Sequence, residues 1–177
     1  MAKILITGGS GMIGQVISKR LLENGHQIVH LSRSPSQGDQ FKTFKWEPQK
    51  GVIDESAFDG VEIIIHLAGA SITQRWSPKN KQTIINSRVD TAKLLLKYVK
   101  RLNSKLKTFI SASGIGYYGG DTGNELLTED SPLGADFIAD VVDKWEGAAD
   151  EFKEICPVVK LRIGIVLSNN GGALPQI

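Results

Sequence analysis

The sequence predicts an α/β protein: a doubly wound parallel sheet with helices on both faces. Strand-like and helix-like segments alternate along the chain, as repeated β–α–β units do. The strongest strand, Val61-Glu62-Ile63-Ile64-Ile65-His66-Leu67, is a nearly continuous β-branched run, the mark of a strand covered on both faces and hence of a parallel sheet. A glycine-rich turn joins the first strand to the first helix, at the start of a βαβ unit.

Each element has a local reason. Lys3-Ile4-Leu5-Ile6-Thr7 is a short apolar run ending at glycines, as a buried strand does. Ile13, Val16, Ile17 and Leu21 then recur at helical spacing, and Asn24-Gly25 stops the helix. Gln27 to Leu31 reads as a second strand, and the polar stretch Ser34 to Gln40, with Pro35 and Gly38, as a loop. A helix follows Ser77-Pro78, with Ile85, Val89, Ala92, Leu96 and Val99 expected on one face. Thr108 to Ser111 is a strand, and a glycine-rich loop runs from Gly114 to about Gly123. Phe137, Val141, Trp145, Ala148 and Phe152 mark a further helix, and Val158 to Leu167 contains a last strand. No repeat, low-complexity segment or linker interrupts residues 1–177, which read as one domain.

Composition narrows the function classes. The chain has 177 residues, 41% hydrophobic and 23% charged, the balance of an ordinary globular protein. A net charge of +2 is too small to suggest a nucleic-acid or membrane-surface partner. One cysteine, Cys156, cannot form an internal disulfide, and the three histidines leave little for a metal site, so no metal is expected. No apolar run approaches the ~20 residues of a membrane span, and Ile4 to Ile6 is too short for a signal peptide. The expected location is a reducing cytoplasm.

Gly8, Gly11 and Gly14 form the pattern G-x-x-G-x-x-G within Thr-Gly-Gly-Ser-Gly-Met-Ile-Gly. Such glycines permit a tight turn and close approach of backbone to a pyrophosphate, which the helix N-terminus receives with free N–H groups and a positive dipole end. A plain strand–helix turn is the alternative. At the end of the second strand, where an NAD site places Asp or Glu, the chain has Ser32-Arg33. A hydroxyl and a guanidinium suit a 2′-phosphate, which favours NADP; an exposed loop arginine is the alternative. Small residues after the central strand, Leu67-Ala68-Gly69, let a flat ring or ribose lie against the backbone. His66 reads as a packed histidine rather than a catalyst, since nothing near it in sequence completes a triad.

These segments, with Ser111-Ala112-Ser113 and Tyr118-Gly119, resemble the extended branch of the short-chain dehydrogenase/reductase superfamily. More narrowly, the chain is similar to its atypical nucleotide-sugar-epimerase-like group. That likeness is carried also by Leu31-Ser32-Arg33, Arg75-Trp76, Ser87-Arg88, Gly116-Tyr117-Tyr118-Gly119, Asp136-Phe137, Lys144-Trp145-Glu146 and Leu161 to Leu167. The resemblance implies a Rossmann fold and NADP as cofactor. It implies a cofactor site of Gly8, Ser10, Gly11, Met12, Ile13, Gly14, Ser32, Arg33, Leu67, Ala68, Gly69 and Arg88, with Lys144 on the ribose. It also implies a small carbonyl, hydroxyl or nucleotide-sugar-like substrate bound near Ser113. A homodimer stays open.

Two departures stand out. Most members carry Y-x-x-x-K on the helix after the serine strand; here Lys144 fits the lysine, but Asp140 stands four residues before it. An aspartate one helical turn from a lysine favours its charged form and makes a poor general acid. Tyr117 or Tyr118, the latter preferred, is then the candidate replacement acid, with Ser113 and Lys144 completing the catalytic set. Asp140 and Lys144 read equally well as a surface pair. The relatives also continue past the last strand into a substrate-binding part, so substrate identity is expected to lie largely outside these residues. A cofactor-binding regulator without catalysis is the alternative function.

Overall fold

The computed structural model describes residues 1–36, 38–168 and 171–172. Seven strands form one sheet: β1 (Lys3–Thr7), β2 (Gln27–Ser32), β3 (Lys42–Glu47), β4 (Val52–Ile53), β5 (Ile63–His66), β6 (Thr108–Gly114) and β7 (Val158–Ile163). Their spatial order is β4-β3-β2-β1-β5-β6-β7. All neighbours are parallel except β4, which turns back antiparallel on β3. The chain builds outward from β1 through β2 and β3, then returns to lay β5 beside β1. That reversal opens a crevice beyond the carboxyl ends of β1 and β5, where Thr7 pairs with His66. A short antiparallel pair, β8 (Leu167–Ser168) and β9 (Gly171–Gly172), follows.

Helices cover both faces, as the sequence predicts. α1 (Met12–Glu23) packs Ile17 and Leu21 on Ile4, Ile6, Ile28 and Ile65. α2 (Pro78–Arg101) and α3 (Phe137–Asp150) share the opposite face, where Leu5, Ile64, Leu95, Val99, Phe109 and Phe152 form the larger core. The Phe109 and Phe152 rings stack 3.7 Å apart; each such buried ring stabilises the fold by roughly 1.5–3 kcal/mol. Ser77 caps α2, accepting from Asn80 N–H, and Pro78 opens its first turn. Asp136 caps α3 through Ala139 N–H.

Two expectations are corrected. The buried face of α2 is broader than predicted: Ala92, Leu96 and Val99 are buried as expected, Ile84, Arg88, Thr91, Leu95 and Tyr98 are buried too, and Ile85 and Val89 are only half-buried. The polar members Arg88 and Thr91 face inward because they serve the crevice described below. Residues 42–53, where β3 and β4 lie, are not predicted as strands. Phe44 and Trp46 point into the core and Lys45 outward, a period of two that is too brief to stand out.

Candidate functional site

The carboxyl ends of β1, β5, β6 and β7 and parts of all three helices enclose a cleft of about 740 Å³. Its floor is the glycine turn. Gly8 has φ +71°, and a side chain there would meet the Leu67–Ala68 backbone at 3.0 Å. A Cβ on Gly14 would lie 2.3 Å from the Gly8 carbonyl oxygen, so only glycine lets α1 begin this close to β1. Gly11 is the N-cap of α1, and no side chain caps this end among the described residues. The first N–H groups of α1 therefore have no side-chain acceptor among the described residues and stand at the positive end of the helix dipole, where an anion could be received.

A buried polar relay locks this floor to its walls. Thr7 Oγ1 accepts from the N–H groups of Leu67 and Ala68, each at 3.2 Å. Its own proton then goes to His66 Nδ1, 2.7 Å away. Thr91 Oγ1 donates to the Ser87 carbonyl at 2.7 Å, so it accepts from His66 Nε2 at 3.1 Å. His66 is thus the neutral Nε2–H tautomer; its complete burial pushes its pKa down to about 4. It is a packed histidine, as expected, and it ties β1, β5 and α2 together.

Arg88 projects from α2 into the cleft wall. Its guanidinium lies against Gly69, where an added Cβ would sit 3.0 Å from Cζ, and 4.9 Å from the Trp145 ring centroid. Nη1 donates to the carbonyls of Ala70 (3.1 Å) and Ile84 (3.0 Å) and to Ser87 Oγ (3.3 Å). Nε has no partner, and no carboxylate pairs with the group among the described residues. Burial pulls its pKa down to about 10, still well above neutrality. The cleft therefore holds a buried, uncompensated positive charge, an arrangement that suits an anion.

Across the cleft, Ser113 on β6 donates to Glu146 Oε1 on α3 at 2.5 Å. Glu146 also receives Arg162 Nε (2.8 Å) and Nη2 (3.0 Å), with Lys160 Nζ 3.3 Å from Oε2. Burial alone would raise its pKa; the hydrogen bonds from Arg162 and Ser113 and the nearby cations overcome this and hold it at about 2. Arg162 Nη1 reaches on to Tyr118 Oη at 2.9 Å, and its guanidinium lies 3.5 Å from the Tyr117 ring centroid.

The structure gathers Gly8, Gly11, Met12, Ile13, Gly14, Leu67, Gly69, Arg88 and Ser113 around this cleft. Ala68 is adjacent, held through its N–H by Thr7. Ser10 lines a neighbouring hollow of about 200 Å³ with Gln15 and Val16. Ser32 and Arg33 follow the β2 register position opposite Thr7, beside the glycine turn but outside the cleft lining. Lys144 is not brought in: it is exposed and bound to Asp140, the surface-pair alternative. Tyr118 is half-buried behind Arg162, outside the lining. Trp145 lines the cleft, whereas Trp76 is exposed and meets Phe137 edge-on. Glu146 and Arg162 are site residues that the sequence does not single out. Their signal was a carboxylate beside a buried helix position and a guanidinium within an apolar strand.

Sheet order, crossover cleft and glycine turn define a Rossmann-type domain. The chain belongs to the NAD dependent epimerase/dehydratase family, whose model matches residues 4–137. An epimerase family protein of Staphylococcus saprophyticus is 34% identical over 180 residues, covering 100% of this chain and 59% of the relative. An epimerase family protein of Staphylococcus aureus is 33% identical, covering 98% and 58%. The chain thus spans a little under three-fifths of the length of these curated relatives. Among solved structures, the nucleoside-diphosphate sugar epimerase from Corynebacterium glutamicum matches with TM-score 0.82 and 34% identity, over 99% of this chain and 36% of that one. Human epimerase family protein SDR39U1, crystallised with NADPH, matches with TM-score 0.82 and 28% identity, over 98% and 57%. Among the described residues no helix is long and apolar enough to cross a membrane.

Proposed function

We propose that residues 1–177 form the NADP(H)-binding domain of an extended short-chain-type oxidoreductase or epimerase. Its substrate would be a small carbonyl or hydroxyl compound of nucleotide-sugar-like type, and its location the cytoplasm, where the single buried thiol of Cys156 stays reduced. One observation carries the proposal: a helix N-terminus without a side-chain cap and a buried guanidinium with no carboxylate partner, both among the described residues, line the same cleft at the sheet crossover. Both fit the pyrophosphate of a dinucleotide. Bound there, the nicotinamide supplies hydride transfer to or from a substrate carbon.

The chain's own residues would bind and orient. Gly8, Gly11, Met12, Ile13 and Gly14 receive the pyrophosphate with backbone, and Arg88 adds charge. Leu67, Ala68 and Gly69 give a flat wall, and Ser10 borders the turn. Ser32 and Arg33 take the 2′-phosphate, in place of the carboxylate that would repel it. The NADPH in the human relative supports the same choice. Calorimetric titration tests the proposal: NADPH should bind at least tenfold more tightly than NADH, and equal affinities would overturn the NADP assignment.

A second reading, an NADP(H)-binding regulator without turnover, is favoured by one observation. Lys144 sits in a surface pair with Asp140, and Arg162 engages the Tyr118 hydroxyl, so the usual tyrosine–lysine acid is not assembled in the cleft. Turnover of NADPH with a panel of carbonyls and nucleotide sugars separates the two: hydride transfer supports the enzyme, and tight binding without turnover the regulator.

A further inference from the structure

We propose that Ser113 is a fixed hydrogen-bond acceptor toward the cleft, so that the ligand oxygen it receives belongs to a hydroxyl and not to a carbonyl. The proposal rests on the cofactor reading above only for the identity of the ligand; the polarity of Ser113 follows from the side chains alone.

A serine hydroxyl has one proton to give and two lone pairs to offer. Ser113 Oγ lies 2.5 Å from Glu146 Oε1, and both residues are buried. The direction of that bond depends on whether Glu146 carries a proton. Oε1 also takes Arg162 Nε, while Oε2 takes Arg162 Nη2 and lies near Lys160 Nζ. Both side chains facing the carboxyl from β7 are cationic donors, so the one place left for a proton is the Oε1 position toward Ser113, and the two adjacent positive charges disfavour neutralising the group there. Glu146 is therefore a carboxylate, consistent with the depressed pKa described above, and Ser113 is the donor.

Its proton is thereby committed away from the cleft, and no group donates to its oxygen among the described residues. The neighbouring Ser111 is no substitute, since its hydroxyl donates to the Ala112 carbonyl. A carbonyl placed at Ser113 would meet lone pairs with lone pairs; a hydroxyl would find an acceptor. This reverses the usual expectation that the serine donates to the carbonyl of a substrate. Glu146 is a positioning residue: it acts through Ser113. Two hydroxyls meet the requirement, one on the cofactor's ribose and one on a substrate alcohol.

The first arm of the test needs no ligand. Nuclear magnetic resonance of the full chain should show the Glu146 carboxyl carbon in its ionised position at pH 7. It should also show a slowly exchanging, downfield hydroxyl proton that disappears in Ser113→Ala. A protonated Glu146, or no Ser113-dependent resonance, overturns the proposal even if NADPH binds. If NADPH fails to bind, the cofactor reading falls, and this arm alone decides the polarity.

The second arm identifies the source by calorimetry with NADPH, then with UDP-glucose and its 4-keto-6-deoxy derivative on the NADPH-saturated protein. A ribose hydroxyl at Ser113 predicts about tenfold weaker NADPH binding in Ser113→Ala. A substrate hydroxyl predicts unchanged NADPH affinity and a roughly tenfold preference for UDP-glucose, lost in the same variant. A preference for the keto sugar that Ser113→Ala removes contradicts the proposal. Where neither sugar binds and NADPH affinity is unchanged, the resonances alone uphold or overturn it. Circular dichroism confirms that this single-atom deletion leaves the fold intact.

Discussion

Replacing Glu146 by Gln should make the protein less stable, and the cost should depend on pH in a defined direction. Glu146 is 5% exposed and holds Ser113, Arg162 and Lys160 together. Its pKa falls from the ordinary 4.5 to about 2 in the folded chain. At 1.36 kcal/mol per unit, that drop corresponds to about 3 kcal/mol of stability. Arg162 and Lys160 keep 17% and 27% of their side chains exposed, so water screens part of this; about 2–3 kcal/mol is expected at neutral pH. A carboxyl whose folded pKa lies below its unfolded one contributes fully above 4.5, and the contribution is lost as pH falls from 4.5 toward 2. Urea unfolding of parent and Glu146→Gln, followed by tryptophan fluorescence from pH 7 to pH 2.5, reads the difference directly. Exposed carboxylates common to both proteins cancel. The gap should narrow by about 2 kcal/mol between pH 5 and pH 2.5. A gap that stays constant across that range would refute the electrostatic reasoning.

Gly14→Ala forces a Cβ to within 2.3 Å of the Gly8 carbonyl; it should cost roughly 1–3 kcal/mol of stability and weaken NADPH binding at least tenfold, both read by unfolding and calorimetry. Arg33→Asp should reduce the preference for NADPH over NADH by about 1–3 kcal/mol, and an unchanged ratio of affinities counts against the 2′-phosphate contact. His66 is neutral in the fold with its pKa near 4 against an ordinary 6.5, so stability should fall as pH drops from 6.5 toward 4. His66→Gln should remove about 3 kcal/mol of that fall, and parallel stability curves would sink the assignment. Lys144→Met, at the surface, should change NADPH affinity less than twofold; a large loss would restore Lys144 to the ribose.

What could be read from the sequence was what local chemistry dictates. The glycine turn was legible because close backbone contact and a positive φ at Gly8 leave few alternatives to glycine. The Ile63-Ile64-Ile65 strand was legible because a strand covered on both faces needs an unbroken apolar run. Arg88 was reached through family likeness, while its burial without a carboxylate needed the fold. The Ser113–Glu146–Arg162 cluster escaped because its members come from β6, α3 and β7. They meet only when parallel pairing sets Ser113 opposite Arg162 and α3 lays Glu146 over both. Lys144 was drawn toward the site by its spacing from position 140. Sequence spacing does not say which face of a helix meets the cleft, and here Val141, Val142 and Trp145 do.

The most direct measurement is the electron density of the chain crystallised with NADPH. The pyrophosphate should lie on the backbone N–H groups at Met12 to Gly14, with Arg88 within hydrogen-bonding reach of the ligand and the 2′-phosphate against Ser32 and Arg33. A dinucleotide bound elsewhere, or one whose pyrophosphate avoids the start of α1, would contradict the account.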